Sequence, residues 1–274
     1  MSSALLLSGG AFRGAVQLPV LEMLQDIPYD EVHGVSVGSI NGVMFAQGQL
    51  PKLRNIWDSM TGISQIMGFA PSVANMGIYN LKPLRRLLEE HASLRKLKIP
   101  FTAGIVNTYS GLYYSWSSED MKRDKQLHDS VLASSAIVGI MHAQKVRPGG
   151  KEMLAVDGGF RNIFPMPEKG KLFDRIDALG CTPLHRVDVG WRPSKGLSGA
   201  LSMVGRVLEL MQAEVFHRDI EQLKARLAPG GVLNIWAPGE MPGEQFAADK
   251  KTIRQRYKLV EEAAKKPALT YTQE

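Results

Sequence analysis

The 274-residue chain is 44% hydrophobic and 22% charged, an ordinary globular composition with length enough for one large core. Its one cysteine, Cys181, excludes a disulfide framework and a cysteine-rich metal site, and suits a reducing compartment. The formal charge of +6 and pI near 9.3 favour anionic surfaces, phospholipid or nucleic acid, with an uninvolved basic surface an equal reading. No nucleic-acid recognition module is visible, so no nucleic-acid partner is expected.

No apolar run approaches the ~18–20 residues of a membrane span, and the first, Ala4 to Leu7, is too short for a signal peptide. The expected location is therefore cytoplasmic or peripheral to a membrane. No linker, low-complexity block or fixed-period repeat divides the chain, which predicts a single domain over 1–274.

In chain order, Ala4 to Ser8 reads as a buried strand, and Gly9-Gly10-Ala11-Phe12-Arg13-Gly14 turns it into a helix from about Ala15 to Gln25. Consecutive glycines at such a turn let backbone N–H groups converge on an anion. A dinucleotide would require glycine where Ala11 stands, and a triphosphate loop would close with Gly-Lys-Ser/Thr where Arg13-Gly14 stands. The oxyanion of an acyl transfer fits best, because a nucleophile candidate lies on the next strand.

That candidate is Ser36. Glu31 to Val35 is a short strand, Gly34-Val35-Ser36-Val37-Gly38 matches Gly-x-Ser-x-Gly, and Ser39 to Gln47 has helical spacing. In a strand–turn–helix of this kind the serine hydroxyl projects above the sheet near the positive end of the helix, although an ordinary turn can carry the same five residues. Leu50 to Met60 reads as a helix. The stretch between Asp58 and Lys82 carries no charge and is rich in methionine, which fits a lid, a lipid-touching surface or a packed irregular connection.

Leu81 to His91 predicts a helix with a basic face of Lys82, Arg85 and Arg86. Ile99 to Val106 and Gly111 to Trp116 predict a hairpin, and Asp120 to Ile137 a helix. Met153 to Val156 is a strand ending at Asp157-Gly158-Gly159, where an aspartate can face a cleft or close an Asx turn. Ile176 to Cys181 and Val232 to Trp236 read as strands. Long helices are expected over about 196–227, with an apolar stripe, and about 246–265, carrying Lys250, Lys251, Arg254, Arg256 and Lys258.

The order of glycine nest, serine elbow and Asp-Gly-Gly resembles the patatin-like phospholipase family over nearly the whole chain. The residues that carry it are Ser8-Gly9-Gly10-Ala11-Phe12-Arg13-Gly14, then Gly34 to Asn41, and Asp157-Gly158-Gly159 with Asn162 and Pro165 behind. Weaker echoes are Leu81 to Leu84, the Phe101 to Tyr114 hairpin and Ala133 to Ala136. Departures are Ala11 at the third glycine, Pro19 in the first helix, and Ile137 to Gln144 in place of a proline-rich segment, which bears on the cleft wall.

The resemblance implies a three-layer α/β/α fold with a mostly parallel central sheet and a catalytic core of about 4–180. It implies a lipid acyl hydrolase, of phospholipase A or lysophospholipase type, in which Ser36 attacks the ester and Asp157 takes its proton. Backbone N–H groups of Gly9, Gly10 and Ala11 would form the oxyanion hole, with Arg13, Gly14, Gly34, Gly38, Gly158 and Gly159 in support. No cofactor and no metal is implied. The partners expected are a phospholipid or lysophospholipid substrate and an anionic membrane surface, met by the uncharged stretch and the basic C-terminal helix.

Two rivals stand beside this reading. A Ser-Asp-His triad would use Ser36, Asp157 and His185, though its elbow normally follows several strands rather than two. A lipid-binding member of the fold would have lost turnover.

Overall fold

The run Ser3–Leu7 forms β1 and is buried throughout. Its side chains alternate between two cores, Leu5 and Leu7 in one and Ala4 and Leu6 in the other, so the strand belongs to a sheet covered on both faces. A computed structural model describes residues 2–168, 170–184, 196–241, 243–263 and 266–273.

After a 3-10 turn at Ala11–Val16 come α1 (Gln17–Leu24), β2 (Glu31–Val35), α2 (Val37–Ala46) and α3 (Leu50–Asp58). The hairpin β3 (Gly68–Ser72) and β4 (Gly77–Asn80) precedes α4 (Lys82–His91), β5 (Phe101–Asn107), β6 (Tyr113–Ser117) and α5 (Asp124–Ser134). The chain continues through β7 (Gln144–Val146), β8 (Met153–Asp157), β9 (Phe173–Leu179), α6 (Gly196–Lys224), β10 (Leu227–Trp236), α7 (Lys250–Ala263) and β11 (Leu269–Thr272).

The main sheet runs β11-β10-β9-β1-β2-β5-β8-β7, with β6 also on β5. Pairs from β10 to β5 are parallel and the margins are antiparallel. Helices α1 to α5 and α7 fill one core, and Phe216, Ile220 and Leu223 of α6 fill the other. This is a three-layer α/β/α fold with a mostly parallel central sheet.

One topological detail positions the chemistry. β6 pairs with Thr102 to Val106 along one edge of β5, so β2 and β8 share the other edge in tandem. β2 lies against Phe101 to Gly104 and β8 against Ile105 to Asn107. Val35 is opposite Gly104 and Asp157 is opposite Ile105, which brings Asp157 to the point where β2 ends at Ser36.

Elsewhere the structure differs from the sequence reading in definable ways. The first helix begins as a 3-10 turn because the glycine-rich loop enters it, and α5 stops at Ser134, short of Ile137. The uncharged stretch contains the β3–β4 hairpin, with Met60 and Met67 buried and Phe69 and Met76 exposed. On α6 Val215, Phe216, Ile220 and Leu223 pack on the second core, while Met203, Val207, Leu210 and Met211 are exposed. Arg256, expected among the cations that the C-terminal helix presents to an anionic surface, is fully buried.

Candidate active site

Ser36 has φ 56° and ψ −128°, a left-handed conformation unfavourable to a residue with a Cβ, and the surroundings hold it there. Its N–H donates to Ser134 Oγ at 3.0 Å, and that hydroxyl donates to the Gly104 carbonyl at 2.7 Å. The Ser36 carbonyl accepts from the Ser39 hydroxyl at 2.6 Å and the Ser39 N–H at 2.9 Å. Small residues are required on both sides: a Cβ on Gly38 would sit 2.3 Å from the Leu7 carbonyl oxygen, and one on Gly34 2.4 Å from that of Gly38.

Asp157 is 4% exposed. Burial drives its carboxyl up from 3.8 to about 7, against hydrogen bonds from the Ser36 side chain and the Gly159 N–H that favour the ionised form. The Gly159 N–H donates to Oδ1 at 2.7 Å, and the Asp157 N–H donates to the Ala136 carbonyl at 3.0 Å. Serine and carboxylate therefore meet across β2 and β8, 121 positions apart in sequence (157 minus 36). Gly158 supports the approach, since a Cβ there would lie 2.5 Å from the Gly104 carbonyl oxygen.

The glycine nest lies beside them. Gly9 packs on Ser36, but its N–H is directed at the Ile163 carbonyl at 3.4 Å. The N–H groups of Gly10 and Ala11 donate to no acceptor among the described residues. Ala11 adopts φ 47°, so the alanine at the third glycine position keeps the left-handed backbone of a nest.

Beneath the loop, Arg256 of α7 donates to the carbonyls of Phe12 at 2.7 Å, Ala247 at 2.9 Å and Glu244 at 2.8 Å. Burial, and then the charge of neighbouring Arg13, lowers the Arg256 guanidinium to about 10. The two buried cations put positive charge under the nest. A buried amide chain ties the nest to the elbow helix: Asn41 donates to the Gly14 carbonyl and Gln17 Oε1, and Gln17 donates to the Ser8 and Leu179 carbonyls. Trp57 closes the chain with an N–H to Asn41 Oδ1.

A narrow cleft over these groups is lined by Gly9 to Ala11, Ser36, Asp157 and Gly159, together with Ile137, Phe160, Met211, Gln212, Val215 and Gln245. About 20 Å³ of it admits solvent, room for roughly one water. Gln245 is buried and its Oε1 accepts no hydrogen bond among the described residues. Asp219 of α6 accepts from the Ile163 and Phe164 N–H groups at 2.6 and 3.1 Å, which fixes the segment behind Asp157.

Sequence reasoning missed Gln245, Asp219 and the bracing role of Arg256. The last two were detectable, since Asp219 lies at helical spacing with Phe216, Ile220 and Leu223, and Arg256 with Ile253, Tyr257 and Val260. Gln245 precedes α7 in irregular chain and gave no signal. No histidine among the described residues lines the cleft, and His185, the base of the rival triad, lies outside them.

A strained serine at a strand-to-helix elbow, a buried carboxylate beside it and a nest of N–H groups are groups whose chemistry suits acyl transfer. The patatin-like phospholipase family matches residues 5–168, more than half of the chain. The chain belongs to that family, whose general activity is lipid acyl hydrolysis.

Among solved structures, it is similar to VipD from Legionella pneumophila, with 14% identity and a TM-score of 0.43 over 99% of this chain and 67% of that one. It is also similar to ExoU of the type III secretion system of Pseudomonas aeruginosa, solved in complex with SpcU, with 15% identity and a TM-score of 0.35. That match covers 83% of this chain and 53% of the other, so this chain spans about half its length. No curated protein matches the sequence. No helix among the described residues is long and apolar enough to cross a membrane.

Proposed function

We propose that the protein hydrolyses fatty-acyl esters of phospholipids or lysophospholipids with a Ser36–Asp157 dyad. The observation that carries this reading is that the strained Ser36 and the buried Asp157 line one cleft, with the serine side chain favouring the ionised carboxylate against a burial that pushes its pKa up to about 7. A carboxylate poised there is a far better proton acceptor than one titrating near 4, and about half of it is ionised at neutral pH.

In acylation, Asp157 takes the hydroxyl proton as Ser36 Oγ attacks the ester carbonyl, and the proton passes to the departing alkoxide. In deacylation, Asp157 takes a proton from water, the hydroxide attacks the acyl-enzyme, and Ser36 regains the proton as the fatty acid leaves. The N–H groups of Gly10 and Ala11 face no protein acceptor and suit the tetrahedral oxyanion, with Gly9 holding the loop through Ile163. Arg13 and Arg256 add positive potential below.

The cleft wall of Ile137, Phe160, Met211 and Val215 fits an acyl chain. With room for about one water, chain entry requires Met211 and its neighbours on α6 to move. Gln245 lines the same cleft with a buried Oε1 that lacks a donor among the described residues, an acceptor that fits a free glycerol hydroxyl, as in a lysophospholipid.

A fluorophosphonate probe followed by intact-mass analysis tests the nucleophile. One adduct on the wild type and none on Ser36→Ala is expected. An unlabelled folded wild type, beside a labelled control hydrolase, would favour a lipid-binding role.

A further inference from the structure

Half of the strongly exposed large apolar side chains among the described residues gather in three neighbouring loops: Phe69, Val73 and Met76 on the β3–β4 hairpin, Tyr109 and Leu112 in the β5–β6 turn, and Val138. Val73, at the hairpin tip, is 97% exposed. Isolated exposed apolar residues are ordinary, but a cluster on loop tips marks a contact surface.

Between the hairpin tip and the turn lies an open groove of about 500 Å³ that exposes cations. Met76 and Tyr109 stand on its rim, and Lys82, Arg85 and Lys145 enter it beside the amides of Asn75 and Gln144. Arg85 is held by Asp129, while Lys82 and Lys145 make no ion pair within 4 Å among the described residues, Lys145 lying within electrostatic reach of Glu152. The 23 residues between Asp58 and Lys82 contain no charge, so no acidic group on the hairpin opposes an incoming anion.

This surface adjoins the catalytic cleft. The β5–β6 turn leaves the carboxyl end of β5, which is parallel to β2, so it lies at the end of the sheet where Ser36 follows β2. One short segment links the two places: Ile137 lines the catalytic cleft, and His142 to Lys145 line the groove. Backbone hydrogen bonds lock that segment to the hairpin, from the Ile78 N–H to the Ile140 carbonyl and from the Ala143 N–H to the Asn75 carbonyl.

We propose that this hairpin, turn and groove form the face that seats the protein on an anionic phospholipid bilayer, with Val73 and Tyr109 entering the apolar layer and Lys82 and Lys145 meeting lipid phosphates. The inference rests on the reading of the chain as a lipid acyl hydrolase and names the surface through which it meets its substrate. Apolar tips around a cationic groove match the layered chemistry of a bilayer surface, carbon below and phosphate above. The exposed lysines and arginine of α7 have no such company: its apolar side chains Ile253, Tyr257 and Val260 are buried against the body of the protein.

The test uses the full chain, sedimented with phosphatidylcholine vesicles with or without phosphatidylserine, and hydrolysis of a water-soluble short-chain ester as a separate readout. Wild type is expected to bind more tightly as phosphatidylserine is added and less tightly as salt rises. The double variant Lys82→Glu/Lys145→Glu is expected to lose about tenfold or more of the anionic-vesicle binding. Val73→Asp, at a site too exposed to disturb folding, should lower the ratio of vesicle to soluble-ester hydrolysis by a similar factor.

Vesicle binding by both variants equal to wild type would overturn the assignment. So would loss of binding on Lys251→Glu/Lys258→Glu with the groove variant unaffected. If instead the wild type binds vesicles as described but neither cleaves the soluble ester nor takes the fluorophosphonate, the docking face stands and the hydrolase reading fails.

Discussion

Replacing Asp157 with asparagine separates what the carboxylate does for catalysis from what it costs the fold. In the unfolded chain the group titrates near 3.8, and in the folded protein burial raises it to about 7. At roughly 1.4 kcal/mol per tenfold change in proton affinity, keeping Asp157 ionised destabilises the native state by about 4 kcal/mol. The sign is opposite to that of a salt-bridged carboxylate. Below pH 4 both states hold the proton and nothing is lost; between pH 4 and 7 the unfolded chain releases it first, and stability falls; above pH 7 the full loss persists.

An asparagine accepts from the Gly159 N–H through Oδ1, meets Ser36 with its amide, and carries no charge to desolvate. Asp157→Asn is therefore expected to match wild type in thermal unfolding near pH 4 and to exceed it at pH 8 by about 2–4 kcal/mol, or ~5 °C or more. Hydrolysis should fall by at least ~100-fold. A variant no more stable than wild type at pH 8, or equally stabilised at every pH, would refute the reasoning about burial.

Wild-type kcat/KM on a soluble ester should rise with pH through about 7, because the base is its ionised form, and pH 6 should give about a tenth of the plateau. A profile flat from pH 5 to 8 contradicts Asp157 as the base. Gly38→Ala drives a Cβ to 2.3 Å from the Leu7 carbonyl oxygen, so chemical denaturation should show a loss of about 3 kcal/mol together with loss of activity. Asp219→Ala strips two buried N–H groups of their acceptor, with an expected loss of about 2–4 kcal/mol; Asp219→Asn should recover part of it. Gln245→Leu should raise KM for a lysophospholipid about tenfold while changing a diacyl substrate little, which parallel kinetics on the two would show.

The sheet core was legible because short apolar runs ending in glycine leave few alternatives: β2 spans Glu31–Val35 as its composition predicts, and α3 and α4 follow their apolar spacing. The β3–β4 hairpin escaped because Gly68 to Ser72 has neither alternating polarity nor a strong strand former beyond Phe69. The three-residue β7 and four-residue β11 are too short to show a period, and non-local pairing defines them. Ser36 was readable from its elbow alone. The pairing of Asp157 with Ser36 came only through the family resemblance, since local spacing says nothing of β8 running antiparallel along the edge of β5 that β2 leaves open.

The buried charge of Arg256 shows the limit of reading by residue type. Arg256 sits in a run of cations that looks like a solvated face, yet its helical position is the buried one. It spends its donors on the carbonyls around the oxyanion nest. Its helical phase carried the information that its residue type concealed.

The most direct test of the dyad is product analysis. Wild type, Ser36→Ala and Asp157→Asn are incubated with vesicles of mixed phospholipids, and the fatty acids and lysolipids released are identified by mass spectrometry. Wild type should release both, with either substitution reducing them to background in a folded protein. Equal products from wild type and Ser36→Ala would contradict the assignment of the nucleophile and with it the account of the site.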